Sequence, residues 1–172
     1  MTVGRRNRTA SIPDTHWKRI LIDTCVPLAR FDKDKPERTA CTEKFIELCR
    51  TGIYEIFVSP QFAVEMENKG TERKKGVNEL LEELGVETLP RNEEAIELAR
   101  IYAQEVTKYS EGDRLHLAYA TVYECDVVVS WNMKDMVNEE IQKALRNVNQ
   151  KTSRKIIMVA TPATMIGEEE PL

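Results

Sequence analysis

The chain has 172 residues, 41% of them apolar and 31% charged, with 25 Lys and Arg against 29 Asp and Glu for a formal net charge of −4. That length fits one domain, no apolar run comes near the roughly 20 residues that a membrane-spanning helix needs, and the N-terminus has no apolar core of the kind a signal peptide carries. A cytoplasmic protein is the expectation.

Residues 1–18 read as a flexible basic extension, with Arg5, Arg6, Arg8 and Lys18 against only Asp14 and no apolar periodicity. Residues 20–23 (ILID) read as a first buried strand. Pro36 opens a helix that Gly52 stops. Residues 55–59 (EIFVS) make a second strand, and Pro60 opens a short helix, PQFAVEMEN, that carries Glu65. A helix over residues 73–84 ends at Gly85, and residues 86–89 form a short strand. Asn92 caps a long helix in which Ala95, Ile96, Ala99, Tyr102, Ala103 and Val106 recur at helical spacing. Asp113 opens the next helix, to residue 123, and a strand follows over residues 126–130. A helix over residues 134–148 and a final strand over residues 155–160 (KIIMVA) complete the order, with a short closing helix or turn from Thr161-Pro162. The acidic tail, residues 167–172, is expected to fray. Strands alternate with helices throughout, which predicts a parallel sheet with helices on both faces and right-handed crossovers.

Polar side chains then fall where such a sheet gathers a site, at the carboxyl ends of its strands. Asp23 ends the first strand. Glu65 lies on the helix after the second. Asp113 starts the helix before the strand at 127–129, and Asn132 and Asp135 follow that strand. Clustered acids bind hard divalent cations through oxygen. Each residue also has a bland reading: Asp113 as a helix cap, Glu65 as a solvated helix residue, Asp23 as a turn cap, Asn132 as the holder of an Asx-turn. His116, one turn after Asp113, could serve as a general base or phosphate contact but reads rather as packing against the sheet with local hydrogen bonds, and Trp131 could stack on a base but reads rather as a lid on the core. The four cysteines, Cys25, Cys41, Cys49 and Cys125, show no CxxC spacing. With only His16 and His116 to add nitrogen ligands, they argue against disulfides and a structural zinc site. Basic runs at residues 73–75 and 143–155 suit a protein that handles phosphate, though such runs are more often solvated surface.

Three segments, ILIDTCVPLARFD, VSPQFAVEME and GDRLHLAYATVYECDVVVSWNMKDM, resemble the PIN-domain nucleases, in particular the VapC-like toxins of type II toxin–antitoxin pairs. The closing IIMVATP resembles the last strand of the same fold. The resemblance covers residues 19–166. It implies a three-layer α/β/α sandwich around a parallel, Rossmann-like sheet, and a Mg2+- or Mn2+-dependent endoribonuclease that leaves a 5′-phosphate and a 3′-hydroxyl. It places the family's acids on Asp23, Glu65 and Asp113. The fourth acidic position falls on Asn132, which could still offer a carbonyl oxygen, with Asp135 as a substitute and Ser130 as a hydroxyl near the metal. Its implied partners are an RNA substrate, an antitoxin protein and a second copy in a homodimer.

The rival class is a catalytically inactive module of the same fold that binds RNA or docks a partner, and Asn132 is the residue that supports it. A phosphohydrolase of the aspartyl-phosphate type fits poorly, because Asp23-Thr24-Cys25 lacks a second Asp two residues after the first.

Overall fold

Val127, Val128 and Val129 are fully buried, as are Ile20 and Leu21. Runs like these have no wet face, so their strands must be covered on both sides. The computed structural model describes residues 17–106 and 108–171. It makes these two runs adjacent strands at the centre of a five-stranded sheet in the order β3-β2-β1-β4-β5. The strands are β1 (Arg19–Ile22), β2 (Glu55–Val58), β3 (Glu87–Thr88), β4 (Val127–Val129) and β5 (Met158–Ala160). Every pairing is parallel, with Leu21 level with both Phe57 and Val128, and Val128 level with Val159.

Alternation along the strands decides which helices cover which face. Leu21, Phe57, Val128 and Val159 point to one side, against α5 (Glu93–Glu105), α6 (Glu111–Val122) and α7 (Glu139–Lys151). Ile20, Ile22, Ile56, Val58, Val127 and Val129 point to the other. There they meet α1 (Cys25–Leu28), α2 (Pro36–Arg50), α3 (Pro60–Met66), α4 (Thr71–Glu83) and α8 (Pro162–Met165). The result is the expected three-layer α/β/α sandwich. Each fully buried Val or Leu of the central strands contributes about 1.5–3 kcal/mol relative to exposure. No helix among the described residues is long and apolar enough to cross a membrane.

The chain leaves β1 toward β2 and β3, then crosses back to lay β4 on the other side of β1. The two central strands therefore flank the point where strand order reverses, and a crevice opens beyond their carboxyl ends. Asp23 and Ser130 follow these strands directly.

Several local expectations are corrected. Ser110, not Asp113, caps α6: its side chain accepts the Asp113 amide, which makes Asp113 the third residue of the helix. The helix expected from residue 134 starts at Glu139, capped by Asn138. Residues 133–137 instead form turns in which the Asn132 carbonyl accepts the amides of Met136 and Val137. The last strand starts at Met158 and not at 155, because the Lys155 carbonyl accepts Asn149 Nδ2 and ties that segment to α7. Helix α1 and the 3-10 turn at Ala29–Phe31 were not anticipated. Gly52 and Gly85 do sit past helix ends at φ of +78° and +65°, the left-handed conformation that glycine adopts without a Cβ penalty.

Of the extension expected over residues 1–18, residues 1–16 lie outside the described residues. Trp17 packs partly against the second core cluster, and the Lys18 amide donates to Asp126 Oδ2 at 2.8 Å. In the tail, Glu168 pairs with Lys44 at 2.8 Å and Glu170 accepts the Thr164 hydroxyl at 3.4 Å.

Candidate metal centre

The Asp23 amide donates to the Val129 carbonyl at 3.0 Å, extending the β1–β4 ladder by one step. That step fixes the carboxylate in the crevice, only 6% exposed. Its Oδ2 accepts the Ser130 hydroxyl at 2.7 Å and the Cys25 thiol at 3.2 Å. Burial and the charge of Asp23 push the Cys25 thiol up, so it remains a protonated donor. Ser130 Oγ in turn accepts the Asn132 amide at 2.9 Å.

Glu65 arrives from the other side, on α3 just past β2. Its Oε1 accepts the Thr24 hydroxyl at 2.5 Å and pairs with His116 Nε2 at 2.9 Å, while its Oε2 accepts Gln61 Nε2 at 3.3 Å. His116 is wholly buried on α6, its Nε2 also lies 3.4 Å from Asp23 Oδ1, and its Nδ1 pairs with Ser59 Oγ at 2.8 Å. A ring nitrogen facing two carboxylates must carry a proton. Burial opposes the charge on this imidazole, but the Glu65 hydrogen bond and the charges of Asp23, Glu65 and Asp113 raise its pKa. On Glu65 burial again opposes ionisation, yet the hydrogen bond and charge of His116, with Thr24 and Gln61, lower its pKa to about 2. Each partner thus holds the other in its charged form.

Asp23, Glu65 and His116 each have one potential ligand atom within 4.8 Å of the others, the two carboxylates as they stand and His116 only on giving up its Nε2 proton. The group could hold a metal ion. Glu65 reaches this position because Gly112 lies against it. A Cβ built on Gly112 would overlap Glu65 Oε2 and come within 3.3 Å of Gln61 Nε2.

Asp113 lies outside that group but borders it. Burial and the charge of Asp23 push its carboxyl up, while hydrogen bonds to the Ser110 hydroxyl and backbone work to lower it. Its Oδ2 accepts Asn132 Nδ2 at 3.3 Å. The Asn132 carbonyl oxygen is turned away and accepts the Asp135 amide at 3.3 Å. Asn132 therefore presents a donor to the acids and no carbonyl, and its oxygen holds the turn as an Asx-turn does. Asp135 also lies outside the group, contributing its amide to that turn. Trp131 is buried, with Nε1 donating to Thr42 Oγ1 at 2.9 Å, which is the lid role its position suggested.

Sequence reasoning placed Asp23 and Glu65 at the site and weighed His116 as a general base or phosphate contact, but preferred a packing role for it. Its spacing of three residues from Asp113, one helical turn on the same face, was the available signal. Ser59, Thr24 and Gln61, which orient His116 and Glu65, carried none beyond their position at strand and helix ends. In comparison with known proteins, neither family models nor curated proteins match this chain.

Proposed function

We propose that this protein is a metal-dependent ribonuclease of the PIN-domain class, hydrolysing RNA phosphodiester bonds in the manner of VapC-like toxins. The observation that carries the reading is the convergence of Asp23, Glu65 and His116, from three separate elements, on one buried point at the sheet's switch point. Asp113 stands beside it. The donor set fits magnesium or manganese, because carboxylate oxygens suit hard divalent cations. Asp23 and Glu65 would hold the ion, with Asp113 completing the acidic wall. Bound there, such an ion would lower the pKa of an attacking water and offset charge on the phosphate.

The chain's own residues do the rest. Ser130 and Cys25 fix one oxygen of Asp23, and Thr24 and His116 fix one of Glu65, so neither carboxylate needs to reorganise. Asp113, its pKa raised by burial and by Asp23, is the acid best suited to take a proton from water. Asn132 holds Asp113 without adding charge. A cytoplasmic toxin, covered by an antitoxin and acting as a homodimer, belongs to the same reading, and the adjacent reading frame tests it.

The decisive assay is cleavage of a mixed RNA pool with manganese, magnesium or chelator. Wild type should cleave only with metal and leave 5′-phosphates, and Asp23→Asn and Asp113→Asn should be inactive. Cleavage in chelator, or equal cleavage by Asp113→Asn, would overturn the reading. The Asn132 orientation favours a second one, a non-catalytic RNA-binding or docking module. Manganese binding without any cleavage would select it.

A further inference from the structure

A cleft of about 510 Å3 opens beside the acids, lined by Asp23, Arg38, Trp131, Asn132, Met133 and Lys134. An acidic crevice repels phosphate, so a strand that enters needs cations next to the acids. Arg38 and Lys134 are the two cations on this lining. Neither pairs with a carboxylate among the described residues, whereas their neighbours Arg30 and Lys44 are neutralised by Glu43 and Glu168.

Arg38 is also held in place. Its guanidinium carbon lies 5.2 Å from the centre of the Trp131 ring, and its Nη2 lies 3.8 Å from Met133 Sδ. The platform beneath it is rigid. Trp131 Nε1 donates to Thr42 Oγ1, and that hydroxyl donates to the Arg38 carbonyl at 2.7 Å, one turn back on the same helix. Arg38 Nη2 donates one N–H to Met133 Sδ, and the remaining N–H groups of the stacked guanidinium can present a fork that matches a phosphate group. The contact with Trp131 contributes to the fold, but no carboxylate among the described residues neutralises the Arg38 charge beside the acidic site.

We infer that Arg38, laid on Trp131 and assisted by Lys134, is a phosphate-binding residue that anchors the nucleic-acid backbone next to the cleavage position. The inference rests on the ribonuclease reading and gives its substrate a point of attachment. A second cleft, of about 660 Å3, shares Arg38 and Trp131 and continues past Lys33, Lys35 and Arg73, with Asp32 and Asp34 interspersed among these cations. The strand's path away from the acids would follow it.

The test is anisotropy of a fluorescein-labelled single-stranded RNA of mixed sequence, in chelator, across a salt series, with manganese affinity measured in parallel by calorimetry. Arg38→Gln should weaken RNA binding about tenfold at 0.1 M salt, as the loss of one charge-assisted hydrogen-bond pair implies. It should also flatten the logarithmic salt slope by about 0.7, the value for one phosphate contact on a single strand. Arg38→Lys keeps the charge but loses the fork, so it should keep the salt slope and lose part of the affinity. Manganese affinity should be unchanged in both. Wild-type affinity and slope in Arg38→Gln would overturn the inference, as would RNA binding too weak to measure in wild type. A parallel loss of manganese affinity would overturn it too, since Arg38 would then be supporting the acids. Wild type that binds RNA with the expected Arg38 dependence but never cleaves it would sink the ribonuclease reading and leave the anion site standing.

Discussion

Gly112→Ala should lower the stability of this protein, although the same substitution in an exposed helix usually raises it. Gly112 is the second residue of α6, where alanine would ordinarily gain about 0.5–1 kcal/mol over glycine. Here the new methyl group would occupy the position of Glu65 Oε2. The carboxylate is the free end of a flexible side chain, but it is tied by Thr24, His116 and Gln61. Moving it sacrifices one or two hydrogen bonds to a charged group, worth about 1.5–3 kcal/mol each. Because the Glu65 side chain is 29% exposed and regains part of this from water, a net loss of about 1–2 kcal/mol is expected. In a Glu65→Ala background the obstacle is gone, so adding Gly112→Ala should stabilise by about 0.5–1 kcal/mol. A double-mutant cycle in urea, read as midpoints at constant slope, measures this reversal of sign. Manganese affinity of the single Gly112→Ala variant should fall with its stability. If Gly112→Ala stabilises both backgrounds equally, the glycine makes no room for Glu65 and the site's packing has been misread.

Ser59→Ala removes the partner of a buried ring nitrogen and should cost about 1–3 kcal/mol in urea. It should also weaken manganese binding roughly 10–100-fold, as loss of an orienting contact does; an unchanged affinity would make Ser59 a packing residue only. Asn132→Asp replaces a donor to Asp113 with a second carboxylate, so the metal-free Tm should fall and manganese should restore it. Equal melting of the two proteins without metal would mean that Asn132 and Asp113 do not interact. Asp126 gives the pH prediction. Burial opposes its charge, but the Arg19 amide, the Lys155 ammonium and the Lys18 amide lower its pKa below the usual 3.8. A lowered carboxyl stabilises the fold fully above that value, and the contribution is lost as pH falls through the lower folded pKa. Wild type should therefore lose more stability than Asp126→Asn between pH 5 and pH 2 by urea denaturation, and parallel losses would refute the assignment.

The central strands were legible because Ile20–Ile22 and Val127–Val129 are unbroken apolar runs, and only a doubly covered sheet accommodates them. The acids at their ends could be placed from that alone. What lay beyond reach depends on which atoms meet. Asn132 looked like a spare ligand, yet the Asp135 amide claims its oxygen and leaves its nitrogen for Asp113. The same claim on the residues after Asn132 delayed α7 to Asn138, although Asn138 followed by Glu139 and Glu140 was a cap signal in plain view. Asp113 reads as the opening residue of its helix only until Ser110, three residues earlier, is recognised as the first half of a capping box. His116 touches Glu65 across 51 positions of sequence, a contact that exists only because the sheet order seats β2 and β4 on either side of β1.

That order has a temporal side. During synthesis the ribosome releases Asp23 and Glu65 well before Asp113, His116 and Ser130. The contact between Asp23 and Ser130 spans 107 positions, which at about 5–20 residues per second is on the order of 5–20 s of translation. Throughout that interval the growing polypeptide holds the two acids without the full set of His116, Asp113 and Ser130. The convergence of these residues is thereby delayed until the strand that sits beside β1 has emerged, and the order of the sheet alone sets that delay.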